Sequence, residues 1–169
     1  PYFAKYSSQK IFKKKIKFPF IDLTMKINSK MHNRIIKFLI SMIKKDKTIK
    51  SILLLGISYA ENVNDIRNSR SLDMVNAIKK ISKKLTIYDP VVDFVNMPKI
   101  KILKKVKSFS HYDLIILNVK HKEFEKIKFS KIKRNHCSIV DTNNVLNDNQ
   151  IKEILKKKID LKIFGRGDL

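Results

Sequence analysis

A single cysteine, Cys137, excludes an internal disulfide and any multi-cysteine metal site, and it is compatible with a reducing compartment. Glycine is almost as scarce. Gly56, Gly165 and Gly167 are the only three, and they cannot form a Gly-x-Gly-x-x-Gly loop, so no dinucleotide cradle of that kind is expected in these residues. Long apolar runs are missing too. Residues 38–43 and 52–56 fall far short of the roughly 20 needed to span a bilayer, and no stretch resembles a secretory signal. A soluble cytoplasmic protein with no membrane partner is the expectation. No internal repeat, low-complexity tract or Pro/Gly/Ser linker interrupts the chain.

Arginine is the other scarcity, and it bears on the net charge of +23. Only five of the 38 basic residues are arginine, and the other 33 are lysines spread along the whole chain. Such a charge ordinarily points to nucleic acid, where basic side chains neutralise phosphates. Base and phosphate recognition, however, leans on the arginine fork. Dispersed lysine reads instead as solvated surface, so no nucleic-acid partner is expected. A non-catalytic basic α/β binding module stands as the alternative, and it predicts steep salt dependence and aromatics interleaved with the basic face. Phe94, Phe109, Tyr112 and Phe124 read rather as packing residues.

With 169 residues and 43% hydrophobic content, the chain can bury one core of ordinary size plus some extra structure. Residues 1–20 carry short apolar groups around basic clusters, with Phe18-Pro19-Phe20 as a break. From Ile21 to about Lys45 the apolar residues Ile27, Met31, Ile35, Phe38, Leu39 and Met42 recur at three and four, which predicts a helix of about 37 Å. That length suits a bridge between domains or subunits. At Ser51-Ile52-Leu53-Leu54-Leu55-Gly56 the period changes to a continuous apolar run, the mark of a strand buried on both faces. Residues 69–84 read as an amphipathic helix, with Ser69 or Ser71 as N-cap and Asp73 in its first turn.

Strands are predicted at 85–88, 113–118, 138–141 and 161–164, with a helix over 149–157 and helical pieces in the remaining connections. Strands alternating with helices require crossover connections, which predicts an α/β fold: a Rossmann-like parallel sheet with helices on both faces, preceded by a long linking helix. Ligands of such sheets gather at the carboxyl ends of the strands. Attention therefore falls on residues 58–67, Asp89, 118–121, 141–144 and 165–166.

The run Leu55-Gly56-Ile57-Ser58-Tyr59-Ala60-Glu61-Asn62-Val63-Asn64-Asp65-Ile66-Arg67-Asn68-Ser69 resembles the opening of the C-terminal domain of UDP-glucose/GDP-mannose dehydrogenases. Tyr88-Asp89-Pro90, the 113–119 strand with His121, Asp141-Thr142-Asn143-Asn144 and Gly165-Arg166 follow at similar spacings, so the resemblance covers residues 50–169. Pro1-Tyr2-Phe3 resembles the tail of the family's Cys-Ile-Pro-x-Asp-Pro-Tyr-Phe stretch. Ile27-Asn28-Ser29-Lys30-Met31 resembles its central-helix Ile-Asn-x-x-Met, in a form nearer the UDP-N-acetylhexosamine branch.

The resemblance implies a domain division at about residue 48: the end of a central domain with an interdomain or dimerisation helix, then a UDP-sugar-binding domain at 49–169. It implies a homodimer. It also implies a two-step oxidation of a sugar C6 alcohol to a carboxylate with two NAD and a cysteine thiolate. That cysteine would lie five residues before Pro1, and the NAD loop earlier still, so the chain as it stands is expected to be a C-terminal part of such an enzyme or an inactive remnant, with no catalytic residue and no metal site of its own.

For Arg67 the residues leave two readings, a guanidinium gripping a diphosphate or an ion pair with Asp65 or Glu61. The resemblance favours the NAD diphosphate. Tyr59 and Ala60 stand where the family has an aromatic followed by a lysine that contacts the nucleotide sugar, with Lys50 or another neighbour available to compensate for Ala60. Asn143 stands where many relatives carry Arg or Lys, Arg70 where proline is usual, and Arg166 completes the substrate set implied. Asp89 and Asp141 read as turn formers, His121 as structural and Cys137 as a bystander thiol.

Overall fold

A computed structural model describes residues 2–13, 16–82, 84–92, 102–133 and 136–166. Two compact units divide the chain, Pro1–Phe38 and Leu39–Leu169. The boundary falls inside the long helix. Leu39 and Ile43, both buried, go with the second unit.

The first unit begins with α1 (Tyr2–Phe12), a helix the sequence pattern did not announce. Its apolar residues Phe3, Tyr6, Ile11 and Phe12 are all largely exposed, so they form no buried stripe from which a helical period could be read. The second helix, α2 (Pro19–Lys45), starts at the proline taken for a break. Proline at a helix start forfeits only an N–H that would have no intrahelical partner, and its fixed φ is already helical. Asp22 in the first turn and Lys44 and Lys45 in the last complement the helix dipole. Asp22 also forms an ion pair with Lys5 of α1.

The second unit is a six-stranded sheet with every neighbouring pair parallel, in the order β3-β2-β1-β4-β5-β6. The strands are β1 (Ser51–Leu55), β2 (Lys84–Tyr88), β3 (Ile102–Leu103), β4 (Leu114–Leu117), β5 (Ser138–Asp141) and β6 (Asp160–Ile163), with helices α3 (Ser71–Lys79) and α4 (Asp148–Lys156). The chain walks outward from β1 to β3, then returns to β4 and walks the other way. Right-handed crossovers therefore place α3 and α4 on opposite faces, and the order reverses between β1 and β4.

Side-chain alternation divides the core accordingly. Leu53, Leu55, Ile115, Leu117 and Ile139 join Ile151 and Ile154 of α4 in one buried cluster. Their strand neighbours Ile52, Leu54, Leu114, Ile116 and Val140, equally buried, point to the opposite face, where α3 contributes Met74, Val75 and Ile78. Burial on both faces is why the strands read as unbroken apolar runs.

Local differences from the sequence pattern have identifiable causes. The β4–β5 connection forms two 3-10 turns, Lys122–Lys126 and Phe129–Lys131, rather than an α-helix. Its apolar residues Phe124, Ile127, Phe129 and Ile132 recur at three, two and three, which no 3.6-residue period accommodates. At α3 the capping position is Arg70, in right-handed helical conformation (φ −66°) with no side-chain cap. Ser69, expected to cap, instead accepts the Ser71 N–H at 3.2 Å while donating to the Ile57 carbonyl at 2.8 Å. A φ of −66° is the value a proline ring imposes, so arginine is accommodated there without strain. At α4 a full capping box forms between Asn147 and Gln150, and the buried Gln150 amide donates to the Phe124 and Ile127 carbonyls, fastening the first 3-10 turn to the helix.

Candidate functional site

The strand order reverses between β1 and β4, and the crevice of an open parallel sheet lies at such a reversal, on the carboxyl edge. Gly56 opens the first loop at φ +87°. A Cβ at this position would lie 2.7 Å from Val119 Cβ and 2.8 Å from Val119 N, so only glycine allows the two loops this approach. Asn118 ties them together. Its amide donates to the Gly56 carbonyl at 3.1 Å and to Ser71 Oγ at 2.7 Å, and its Oδ1 accepts from Thr142 Oγ1 at 3.1 Å.

Beneath the 57–62 loop lies a carboxylate, Asp89, exposed by 1%. Its Oδ2 accepts the N–H groups of Ile57 at 2.8 Å and Ser58 at 3.0 Å, and its Oδ1 those of Val91 at 3.0 Å and Val92 at 3.2 Å. Burial pushes its pKa up, but the His121 hydrogen bond and the backbone N–H groups outweigh it and bring the value down to about 2. Asp89 is therefore an ionised anchor that sets the path of the loop after β1.

His121 completes the arrangement. The Asn62 N–H donates to its Nδ1 at 3.0 Å, so in the neutral imidazole the proton resides on Nε2. Nε2 faces Asp89 Oδ2 at 3.2 Å and Ser58 Oγ at 3.1 Å. The Ser58 hydroxyl spends its own proton on the Ala60 carbonyl at 3.0 Å. Serine, histidine and aspartate thus meet without forming a nucleophilic triad, because the ring nitrogen facing the serine carries a proton and the same nitrogen faces the aspartate. The group is a brace. Asn62, at φ +57°, adds an acceptor for the Lys122 N–H at 3.0 Å and locks the two loops a second time.

The residues singled out from the sequence distribute along this edge. Tyr59 stands 65% exposed on the braced loop, next to the half-buried Ala60. Arg67 lies farther along the same connection and is gripped by Asp65 through Nε at 3.0 Å and Nη2 at 2.8 Å, so of the two acidic neighbours considered it is Asp65 that pairs. The guanidinium, and then the Arg67 N–H, hold the Asp65 carboxyl down to about 2. Asn143 is exposed after β5, two strand spacings or about 10 Å from β1. Arg166, beyond β6 at the sheet's far side, donates to Asp148 Oδ1 at 3.0 Å.

Lys50 cannot stand in for the lysine that Ala60 replaces. It precedes β1 at the amino edge of the sheet, the whole five-residue strand away from the crevice, and its own N–H is bound to Asp113 Oδ2. Asp141, read as a turn former, accepts the N–H groups of Asn143, Val145 and Leu146 and shapes the loop after β5. Cys137 is buried, with its Sγ 3.8 Å from the Ser138 carbonyl. The interlocking of Asp89, His121, Ser58 and Asn62 was not legible in the sequence. Each of the four pairings joins residues 31 or more positions apart, and the only local signal was that each residue follows a strand.

Residues 53–148 match the sequence model of the UDP-glucose/GDP-mannose dehydrogenase family, UDP binding domain. The UDP-N-acetyl-D-glucosamine 6-dehydrogenase of Salmonella typhi is 38% identical over 134 residues, which cover 75% of this chain and 30% of that protein. The UDP-N-acetyl-D-mannosamine dehydrogenase of Methanococcus vannielii is 28% identical over 154 residues, 88% of this chain and 35% of its own. In fold, the chain is similar to the NDP-N-acetyl-D-galactosaminuronic acid dehydrogenase of Methanosarcina mazei, with a TM-score of 0.74 at 21% identity over 95% of this chain and 36% of the other. The chain spans about a third of the length of the relatives it matches.

Proposed function

Since this chain belongs to the UDP-glucose/GDP-mannose dehydrogenase family, we propose that it is the nucleotide-sugar-binding part of an NAD-dependent 6-dehydrogenase that oxidises a UDP-N-acetylhexosamine to its uronic acid, in the cytoplasm and for polysaccharide synthesis. The observation that carries this reading is the coincidence of the matched segment with the crevice: the loop bearing Tyr59 and Ala60 is held over the reversal of strand order by Asp89 and His121. The N-acetylhexosamine follows from the substrates named for the Salmonella and Methanococcus relatives.

In this reading Tyr59, exposed beside the crevice, provides a face for the nucleotide, and Asn143 and Arg166, on the loops after β5 and β6, are the outlying members of the substrate set. NAD would supply the acceptor for the hydride that leaves the sugar C6. The chain's own contribution to NAD is Arg67, whose grip on Asp65 through Nε and Nη2 leaves the Nη1 edge for a diphosphate oxygen. A homodimer forms through α2, where Phe20, Leu23, Ile27 and Met31 recur at three and four and stand 81%, 55%, 49% and 59% exposed.

The test is thermal unfolding of the chain with UDP. A ligand binding only the folded state at about 100 times its Kd adds about 2.7 kcal/mol, which appears as a rise in Tm. Ala60→Lys, which restores an ammonium beside the crevice, is expected to tighten UDP by about tenfold, or 1.4 kcal/mol, on the strength of a charge-assisted bond to phosphate. A chain whose Tm ignores UDP, with and without this substitution, would not be the UDP-binding part.

A further inference from the structure

Separate from the crevice, a concavity of about 560 Å³ opens beside the end of β2. Five of its twelve lining residues are lysines, Lys105 and Lys107 from the segment after β3 and Lys126, Lys128 and Lys131 from the 3-10 stretch after β4. All five are exposed.

Among the described lining residues the one carboxylate, Glu123, is already engaged, since the Tyr88 hydroxyl donates to its Oε1. Burial, and then Glu123 itself, raise the Tyr88 pKa, which keeps that phenol a donor and Glu123 an acceptor. Five lysines therefore line one concavity beside a single carboxylate that is already engaged, and the mutual repulsion of their charges is relieved by an anion that carries several charges in a small volume. Ammonium groups act on phosphate as point charges, without the planar fork that selects carboxylates, and the volume lies in the range of small-molecule sites. Extended nucleic acid is disfavoured because the aromatics at hand are packed rather than presented: Tyr88 is 6% exposed, and the Phe109 ring lies 6.3 Å from that of Phe129.

We propose that this lysine-lined concavity binds a compact anion of two or more linked phosphates, either free or as the diphosphate of a nucleotide. The site uses none of the residues assigned to the crevice, so it stands or falls independently of the UDP reading.

Calorimetric titration of the 169-residue chain with pyrophosphate tests it, using two triple variants that remove the same charge. Lys126→Gln, Lys128→Gln and Lys131→Gln together are expected to weaken binding by about tenfold or more, whereas Lys152→Gln, Lys156→Gln and Lys157→Gln, on α4 and at its carboxyl cap, leave it within about twofold. All six side chains are exposed, so both variants should fold, and circular dichroism checks that they do. A parallel titration with ADP separates the sources: tighter binding than pyrophosphate with the same lysine dependence identifies a nucleotide, and equal or weaker binding identifies free polyphosphate. Absence of saturable binding, or equal loss in the two triple variants, would overturn the proposal.

Discussion

Replacing Asp89 by asparagine should destabilise the sheet unit by about 3–5 kcal/mol, although the two side chains have nearly the same volume. Both carboxylate oxygens are committed, one to Ile57, Ser58 and His121, the other to Val91 and Val92. An amide can present its oxygen to only one of these groups and must turn its NH2 on the donors of the other. Urea unfolding of the two proteins near neutral pH measures the difference. A loss below about 1 kcal/mol, the size of one ordinary hydrogen bond, would mean that Asp89 is not the anchor of the loop.

Asp141→Asn provides the contrast. There two of the three accepted N–H groups share Oδ1, so an amide oxygen in that place keeps both and abandons only Leu146. A cost of about 1–2 kcal/mol is expected. The pH dependence of the Asp89 effect has a definite sign. Its pKa falls from 3.8 to about 2 on folding, so its stabilisation is fully present above the unfolded value and disappears as pH falls through the folded one. With 1.36 kcal/mol per pKa unit, the gap between the wild-type chain and Asp89→Asn should narrow by about 2 kcal/mol between pH 5 and pH 2. A gap independent of pH in that window would show that the ionised form is not what the fold uses.

Gly56→Ala should cost about 3 kcal/mol or more. Two terms add: an L-residue at positive φ pays about 1–2 kcal/mol, and the new methyl overlaps Val119, including a backbone nitrogen that cannot rotate away. Gly165→Ala separates them, because Gly165 has a nearly identical φ of +85° with nothing within 4 Å of the added carbon. Only the conformational term of about 1–2 kcal/mol applies there. Thermal or urea unfolding of both variants gives the comparison. If the two alanines cost the same, the close approach of the β1 and β4 loops contributes nothing. If Gly56→Ala costs more, the proposed UDP binding should weaken with it, since Gly56 opens the loop that bears Tyr59 and Ala60.

The alternation of apolar runs with amphipathic segments carried the parallel α/β architecture, because strands buried on both faces and helices buried on one leave different periodicities in the chain. The fifteen residues from Leu55 to Ser69 carried the family, and the position of each following motif after a strand placed those motifs on the carboxyl edge of the sheet. Strand order, the 3-10 form of the β4–β5 connection and the α1 helix were decided only in three dimensions. The first depends on crossovers that leave no local trace, the second on the packing of Phe124 and Phe129 against the sheet, and the third on a helix without a buried stripe. The same holds for the brace and the lysine-lined concavity. Asp89 looked like a turn former and His121 like a lone structural histidine, and Lys105 and Lys131 like solvated surface. What they do follows from their being brought together across 32 and 26 positions of chain, and such pairings belong to the tertiary structure because local sequence preferences do not specify them.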